Sequence, residues 1–376
     1  MPKFPNLLAV FAATMVASAA GAQTATPAPV PQVNFFAILD VGPTYYSSST
    51  AAGGSAGRNL RLDTGIAAGN RFGWRGGLDI GNGLSAIAVL EGGFNAAKGN
   101  SEQGGLLFGR QVFIGLKNEY GSLTMGRQYD MMFDIMGLNG YIIGAHNQIG
   151  SMAQALDAAS MVITNPATLA TATGTLGNRT YGARVDNSIK FSSASFSGLT
   201  FGGMVGFGEV PGNQERGRNA SVGVNYAAGA FAAGVAYSKF NQATADTHSD
   251  IWGLGAKYLL GDAMLYGMYT DVKHTGVVAG WQAPTLKTTG IGVDYKIDDR
   301  WSAGAAVQQQ SRNGGKGGAT QITGSAVYRA TPTTWLYASA ASAKDNAFGA
   351  TAVFGAGGPS KSDSQTVFRL AVRQNF

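Results

Sequence analysis

Residues 70–95 read NRFGWRGGLDIGNGLSAIAVLEGGFN, and this stretch holds a strand, a tight turn and a second strand. In its first half Phe72, Trp74 and Leu78 share one parity, while Arg71, Gly73, Arg75, Gly77 and Asp79 share the other. That is the period-two pattern of a strand with two unlike faces. IGNG at 80–83 is a turn signal, and in the run that follows it Glu91 falls opposite Leu90 in phase. The same alternation recurs further along. In 183–192 Val185, Ile189 and Phe191 oppose Arg184, Asp186, Ser188 and Lys190. In 290–298 Ile291, Val293, Tyr295 and Ile297 oppose Asp294 and Lys296. At the end of the chain Phe368, Leu370, Val372 and Phe376 oppose Arg369, Ala371, Arg373 and Asn375.

Alternation fits a soluble sandwich as well as a membrane barrel, so the spacing of the breaks decides between them. Short turns fall at 80–83, 118–121, 196–198, 227–229, 260–262, 298–300 and 331–333. Between them lie longer polar or glycine-rich stretches at 48–69, 96–105, 130–180, 210–218, 241–249, 273–286, 312–319 and 345–363. Short and long connections in strict rotation are the signature of an up-and-down barrel with tight turns on one rim and large loops on the other. Counted this way, the chain is all-β: a transmembrane antiparallel barrel of about 16 strands whose first and last strands pair.

Composition agrees. The chain has 376 residues, 45% of them hydrophobic and 13% charged, with 56 glycines, no cysteine and a net charge of +6. So little charge excludes disorder, and the lack of cysteine excludes disulfides, thiol nucleophiles and Cys-ligated zinc. Lys3, the apolar run Leu7–Ala17 and the small residues Ala20-Gly21-Ala22 read as a signal peptide over 1–22, cleaved before Gln23. Residues 23–376 then form one barrel domain. Beyond residue 22 no apolar run reaches the ~18 residues of a spanning helix, so membrane entry requires a closed barrel.

Taken together, 70–95, LLFGRQVFIGLKNEYGSLTMGRQYD (106–130) and GARVDNSIKF (182–191) resemble the Gram-negative trimeric porins of the β-proteobacterial, general-diffusion type. The chain departs from that pattern twice: Gln374 stands where these porins often have histidine, and no PEFGG-type sequence occurs. The resemblance implies an outer-membrane homotrimer contacting lipid and lipopolysaccharide. It implies a water-filled pore in each barrel, narrowed by the third long loop, here 130–180, and open to small hydrophilic solutes and ions. It also implies that the terminal Phe376 is the signal read by the outer-membrane assembly machinery, and that Arg71, Arg110 and Arg184 match a basic cluster at the constriction.

Rings of arginine or lysine in a narrow, low-dielectric pore favour anions. By parity Arg71, Arg75, Arg184, Lys190, Arg369 and Arg373 point inward, with Glu91 and Asp134 as inward counter-charges. Asp130, Asp134 and Asp157 are the carboxylates of the long loop. Arg110 shares parity with Val112, Ile114 and Leu116, so it reaches the lumen only through a bulge or from above the regular strand. Arg127 shares parity with Leu123 and Met125 and reads as a trimer contact rather than a constriction residue.

Enzyme motifs are weak. Gly53–Gly57 fits GxSxG but lies in a glycine/serine-rich loop. His146, His248 and His274 fall in three separate loops as solvated side chains, without metal-ligand spacing. No P-loop or dinucleotide fingerprint is present, and the dispersed basic residues do not suggest nucleic acid. The sequence therefore reads as an anion-preferring passive channel with no cofactor and no catalytic or metal site. A channel selective for an organic anion or sugar, and a non-conducting adhesive or structural barrel, are the alternatives.

Overall fold

A computed structural model describes residues 31–50, 56–136, 184–243, 246–275, 277–278, 281–282, 285–312, 318–345 and 364–376. The leader at 1–22 and most of the expected internal loop, including Asp157 and His146, lie outside them. The wall begins with β1 (Gln32–Thr50), β2 (Ala56–Thr64), β3 (Arg71–Gly81), β4 (Leu84–Gly93), β5 (Gln111–Asn118) and β6 (Gly121–Tyr129). A one-and-a-half-turn helix, α1 (Met131–Met136), follows. Then come β7 (Arg184–Ser193), β8 (Leu199–Gly206), β9 (Asn219–Ala228), β10 (Phe231–Asn241), β11 (His248–Leu260) and β12 (Ala263–His274). After a miniature hairpin of β13 (Val277–Val278) and β14 (Trp281–Gln282), the wall resumes with β15 (Thr285–Lys296), β16 (Trp301–Arg312), β17 (Gly318–Arg329), β18 (Thr334–Asp345) and β19 (Ser364–Asn375).

Every neighbouring pair is antiparallel, and β1 pairs with β19 from Ile38↔Asn375 to Tyr46↔Val367, which closes the sheet on itself. Seventeen strand segments make up this sheet, but two of them share one place in the wall. β2 pairs with the far half of β1 (Val41–Thr50) and β3 with its near half (Gln32–Ile38). The two are one barrel strand interrupted at 65–70, so the barrel has sixteen strands. The expected loop over 48–69 is thereby corrected: β1 runs on to Thr50, and Ala56–Thr64 is the strand β2. The seven short turns join strands where the sequence predicts them. Gly229 and Gly261 sit in two of them at φ 56° and 59°, a conformation that L side chains rarely adopt.

The burial pattern inverts that of a soluble protein. Leu60, Ile114, Ile291, Ile322 and Leu370 are all more than 60% exposed, whereas Asp40, Thr44, Glu91, Thr270, Gln310 and Arg369 are buried. Apolar side chains outside and polar ones inside is the arrangement of a barrel solvated by lipid. Toward the short-turn rim the outer face carries Phe196, Tyr226, Phe231, Tyr258, Tyr295 and Trp301, an aromatic girdle suited to the membrane interface. Trp301 packs on Tyr328 with ring centroids 4.9 Å apart.

Candidate functional site

The inner wall is charged where β3, β4 and β5 stand side by side. Gly73 of β3 is the register partner of Glu91 on β4, and Glu91 in turn of Gln111 on β5. Strand alternation therefore turns Arg71, Arg75, Glu91 and Gln111 to one face. Three guanidinium groups converge on the Glu91 carboxylate, Arg110 at 2.5 Å, Arg71 at 3.6 Å and Arg75 at 3.9 Å. Gln111 Nε2 adds a hydrogen bond of 3.2 Å. Glu91 is 1% exposed while Arg75 is 61% exposed and rests over the Phe36 ring at 4.2 Å. The carboxylate thus forms the floor of the cluster and Arg75 its wet edge.

Arg110 lies above the regular strand, because β5 begins one residue later at Gln111. Its backbone N–H donates to the Glu91 carbonyl, and its Nη2 donates to the Tyr129 hydroxyl at 3.1 Å. The same hydroxyl accepts from Arg184 Nη2 at 2.6 Å, and the Arg184 guanidinium lies 4.8 Å from the Tyr129 ring centroid. Tyr129, which sequence reading misses, joins the two halves of the cluster; it is the last residue of its strand and stacks on Phe133 of α1 at 3.6 Å.

Arg184 comes to this place by a different route from the one predicted. Between Gly126/Ser188 and Gln128/Val185 the β6–β7 register slips by one residue, and Asn187 takes φ 49°. This bulge shifts the phase of the first residues of β7. Val185 is buried with Met204 in the apolar patch on the inner wall, not on the outer face with Ile189 and Phe191. Arg184 is instead carried by the strand end and by Tyr129. Lys190, past the bulge, donates to the Tyr129 carbonyl at 3.0 Å and pairs with Asp134 at 2.8 Å. Arg127 donates to the Gly109 carbonyl and pairs with Asp186.

A second charged group crosses the closure seam, where the inward-turned Arg369 and Arg373 expected from parity meet Asp40 and Tyr337, which sequence reading misses. Arg369 pairs with Asp40 at 2.9 Å, and both bond the Tyr337 hydroxyl. Asp40 also accepts the backbone N–H groups of Ala67 and Ala68, which holds the interruption between β2 and β3 in place. Arg373 stacks on Trp335 at 4.5 Å. Arg369 and Arg373 are both buried, and their bonds are structural ones. His248 and His274 are strand ends: His274 is buried with Nδ1 2.9 Å from Ser249 Oγ, which corrects its reading as a solvated loop residue. Among the described residues no group of three or more His, Cys, Asp or Glu side chains could hold a metal ion.

Comparison with known proteins follows this geometry. Over 138 residues the chain is 36% identical to an outer membrane porin protein of Bordetella pertussis, covering 34% of this chain and 35% of that one. Over 94 residues it is 36% identical to the major outer membrane protein P.IB of Neisseria meningitidis serogroup B, covering 25% and 27%. The chain thus spans about a third of the length of the curated relatives it matches. The barrel superposes on an anion-selective porin from Comamonas acidovorans with a TM-score of 0.75 at 23% identity, over 92% of this chain and all of that one. It superposes on the trimer form of OmpT, an outer membrane protein of Vibrio cholerae, with a TM-score of 0.62 at 16% identity, over 92% and 100%. These two likenesses carry the fold. The model of the Gram-negative porin family matches residues 8–347, and with that span and a closed sixteen-strand barrel the chain belongs to the Gram-negative porins, proteins of the bacterial outer membrane.

Proposed function

We propose that the protein is a passive diffusion channel for small hydrophilic solutes that prefers anions, working as a homotrimer. The observation that carries the preference is the local charge balance among the described residues: Arg71, Arg75 and Arg110 converge on Glu91, and Arg184 meets Arg110 at the Tyr129 hydroxyl, which sets four guanidiniums against two carboxylates, Glu91 and Glu102. Each unit of net positive charge about 5 Å from a passing ion contributes about 1 kcal/mol even at the dielectric constant of water. About 1.4 kcal/mol is a tenfold ratio, so a small excess of positive charge sorts chloride from potassium. Lys190 and Asp134 pair and largely cancel. The anion selectivity of the similar Comamonas porin supports the reading.

The reversal potential of the purified protein in a planar bilayer under a potassium chloride gradient tests it. The expected sign is anion-favouring. Reversing charge at Arg71 and Arg184 together should move it to the cation side, and a double variant with unchanged preference would remove these residues from the selectivity zone. The trimer form of the similar Vibrio protein supports the homotrimer. Semi-native electrophoresis should give a heat-labile band at three times the monomer mass.

A further inference from the structure

Strand interiors seldom hold glycine without a reason, since it weakens the strand and often marks a place where something approaches the backbone closely. On the inner wall Gly202 of β8, Gly223 of β9, Ala236 of β10 and Gly253 of β11 are successive register partners. They form one row across four strands with almost no side chain. The first turns of α1 lie in this trough. A Cβ added at Gly202 would come within 2.6 Å of the Phe191 carbonyl oxygen and 2.7 Å of Met131 Cε, one at Gly223 within 2.7 Å of Ile135 Cγ1, and one at Gly253 within 2.7 Å of Met132 Sδ; the two methionine ends can swing aside, so the branched Ile135 over Gly223 is the tightest fit of helix to wall. Real Cβ atoms essentially never approach so closely. Gly234, off the row by two residues, shows the same 2.7 Å approach to Ile135 Cγ2.

Hydrogen bonds fix the helix along the trough as well as into it. Ser221 and Ser238 are register partners on β9 and β10. Ser221 Oγ accepts the Met131 N–H at 3.1 Å, and Ser238 Oγ donates to Asp130 Oδ2 at 3.0 Å. Asp130 Oδ1 meanwhile accepts the Phe133 N–H at 3.0 Å. Asp130 is fully buried, so its carboxylate anchors the helix and does not line the water path.

We propose that this row of small residues is the seat that sets how far α1 stands off the wall, and thereby sets the free bore beside it. The proposal rests on the channel reading. The wall would then determine permeability at positions that no solute touches: the atoms missing at Gly202, Gly223 and Gly253 are room given to Met131, Ile135 and Met132. Because Asp130 stays bonded to Ser238, a bulkier floor lifts the helix toward the pore axis and narrows the lumen.

Single-channel conductance of the full-length protein in planar bilayers is the test. The unaltered protein is recorded first, and whether it conducts decides the channel reading by itself. Against that value Gly223→Val should lower conductance at least twofold, and Ile135→Ala in the same chain should restore it, because the atom lying 2.7 Å from the new Cβ is gone. Gly223→Ala, one methyl group, gives a smaller fall and serves where the valine variant fails to form a heat-modifiable barrel. A folded Gly223→Val barrel with the parent conductance would overturn the proposal, as would a fall that Ile135→Ala leaves in place. A role in wall stability alone would move the unfolding temperature without this paired fall and recovery.

Discussion

At the scale of the residue, Glu91 holds more together than any other charged group on the β3–β5 wall. Glu91→Gln leaves Arg71, Arg75 and Arg110 facing one another. Removing one partner of a buried ion pair costs about 3–5 kcal/mol, so the unfolding temperature should fall while anion preference, read from the reversal potential, should rise. Glu102, in the loop between β4 and β5, gives the pH dependence. Burial holds its carboxyl above the ordinary glutamate range, opposed by the Arg110 and Arg184 guanidiniums. As pH falls through that raised value, which lies above the usual ~4.3, Glu102 loses its charge and the neighbourhood becomes more positive. Anion preference should therefore strengthen on acidification, and Glu102→Gln should flatten that response. The folded state binds this proton more readily than the unfolded chain, so the same acidification adds stability. Sequence parity turned Arg71, Arg75 and Glu91 to one face because they lie in unbroken alternation. It could not supply the phase of Arg184, which depends on an extra residue in β7, nor find Tyr129, which acts from a strand end where alternation has stopped.

At the scale of the element, the turns were the most legible features, because each is punctuated by Gly, Asn, Asp or Pro between longer alternating runs. β2 was not. Its alternation rests on Leu60 and Leu62 alone, flanked by a glycine/serine-rich stretch that by composition reads as loop. α1 was equally hidden, since MMFDIM is an apolar run broken only by Asp134, too short to reveal a period, and its partners are glycines on strands that begin more than sixty residues later. A strand variant tests the assignment of faces. Ile291 stands on the outer face at the middle of β15, 63% exposed. An arginine near the bilayer midplane costs about 2–4 kcal/mol, so Ile291→Arg should lower the unfolding free energy in lipid by that amount. Because the side chain lies outside the lumen, ion preference should not change.

At the scale of the whole molecule, both ends of the wall meet in one seam. Phe376 closes it through backbone bonds, its N–H donating to the Ala37 carbonyl at 2.9 Å, while its ring is 68% exposed. A ring so little buried adds little to the finished barrel. Deleting Phe376 should therefore shift the unfolding temperature by only a few degrees but reduce outer-membrane levels severalfold, as measured by immunoblot of membrane fractions. That split is the mark of a residue read during assembly. The ion pair behind the seam has a consequence for timing. Asp40 and Arg369 are 329 residues apart, and in a barrel that lacks its final strand Asp40 keeps its bonds from Ala67, Ala68 and Tyr337 but loses the guanidinium that balances its charge. A chain halted before residue 364 holds a buried-type aspartate with no counter-ion and a gap in its ladder, so the intermediate one strand short is penalised twice. Closure thus acts as a checkpoint: the last dozen residues to arrive decide whether the other fifteen strands form a stable wall, and a truncated chain fails as a whole.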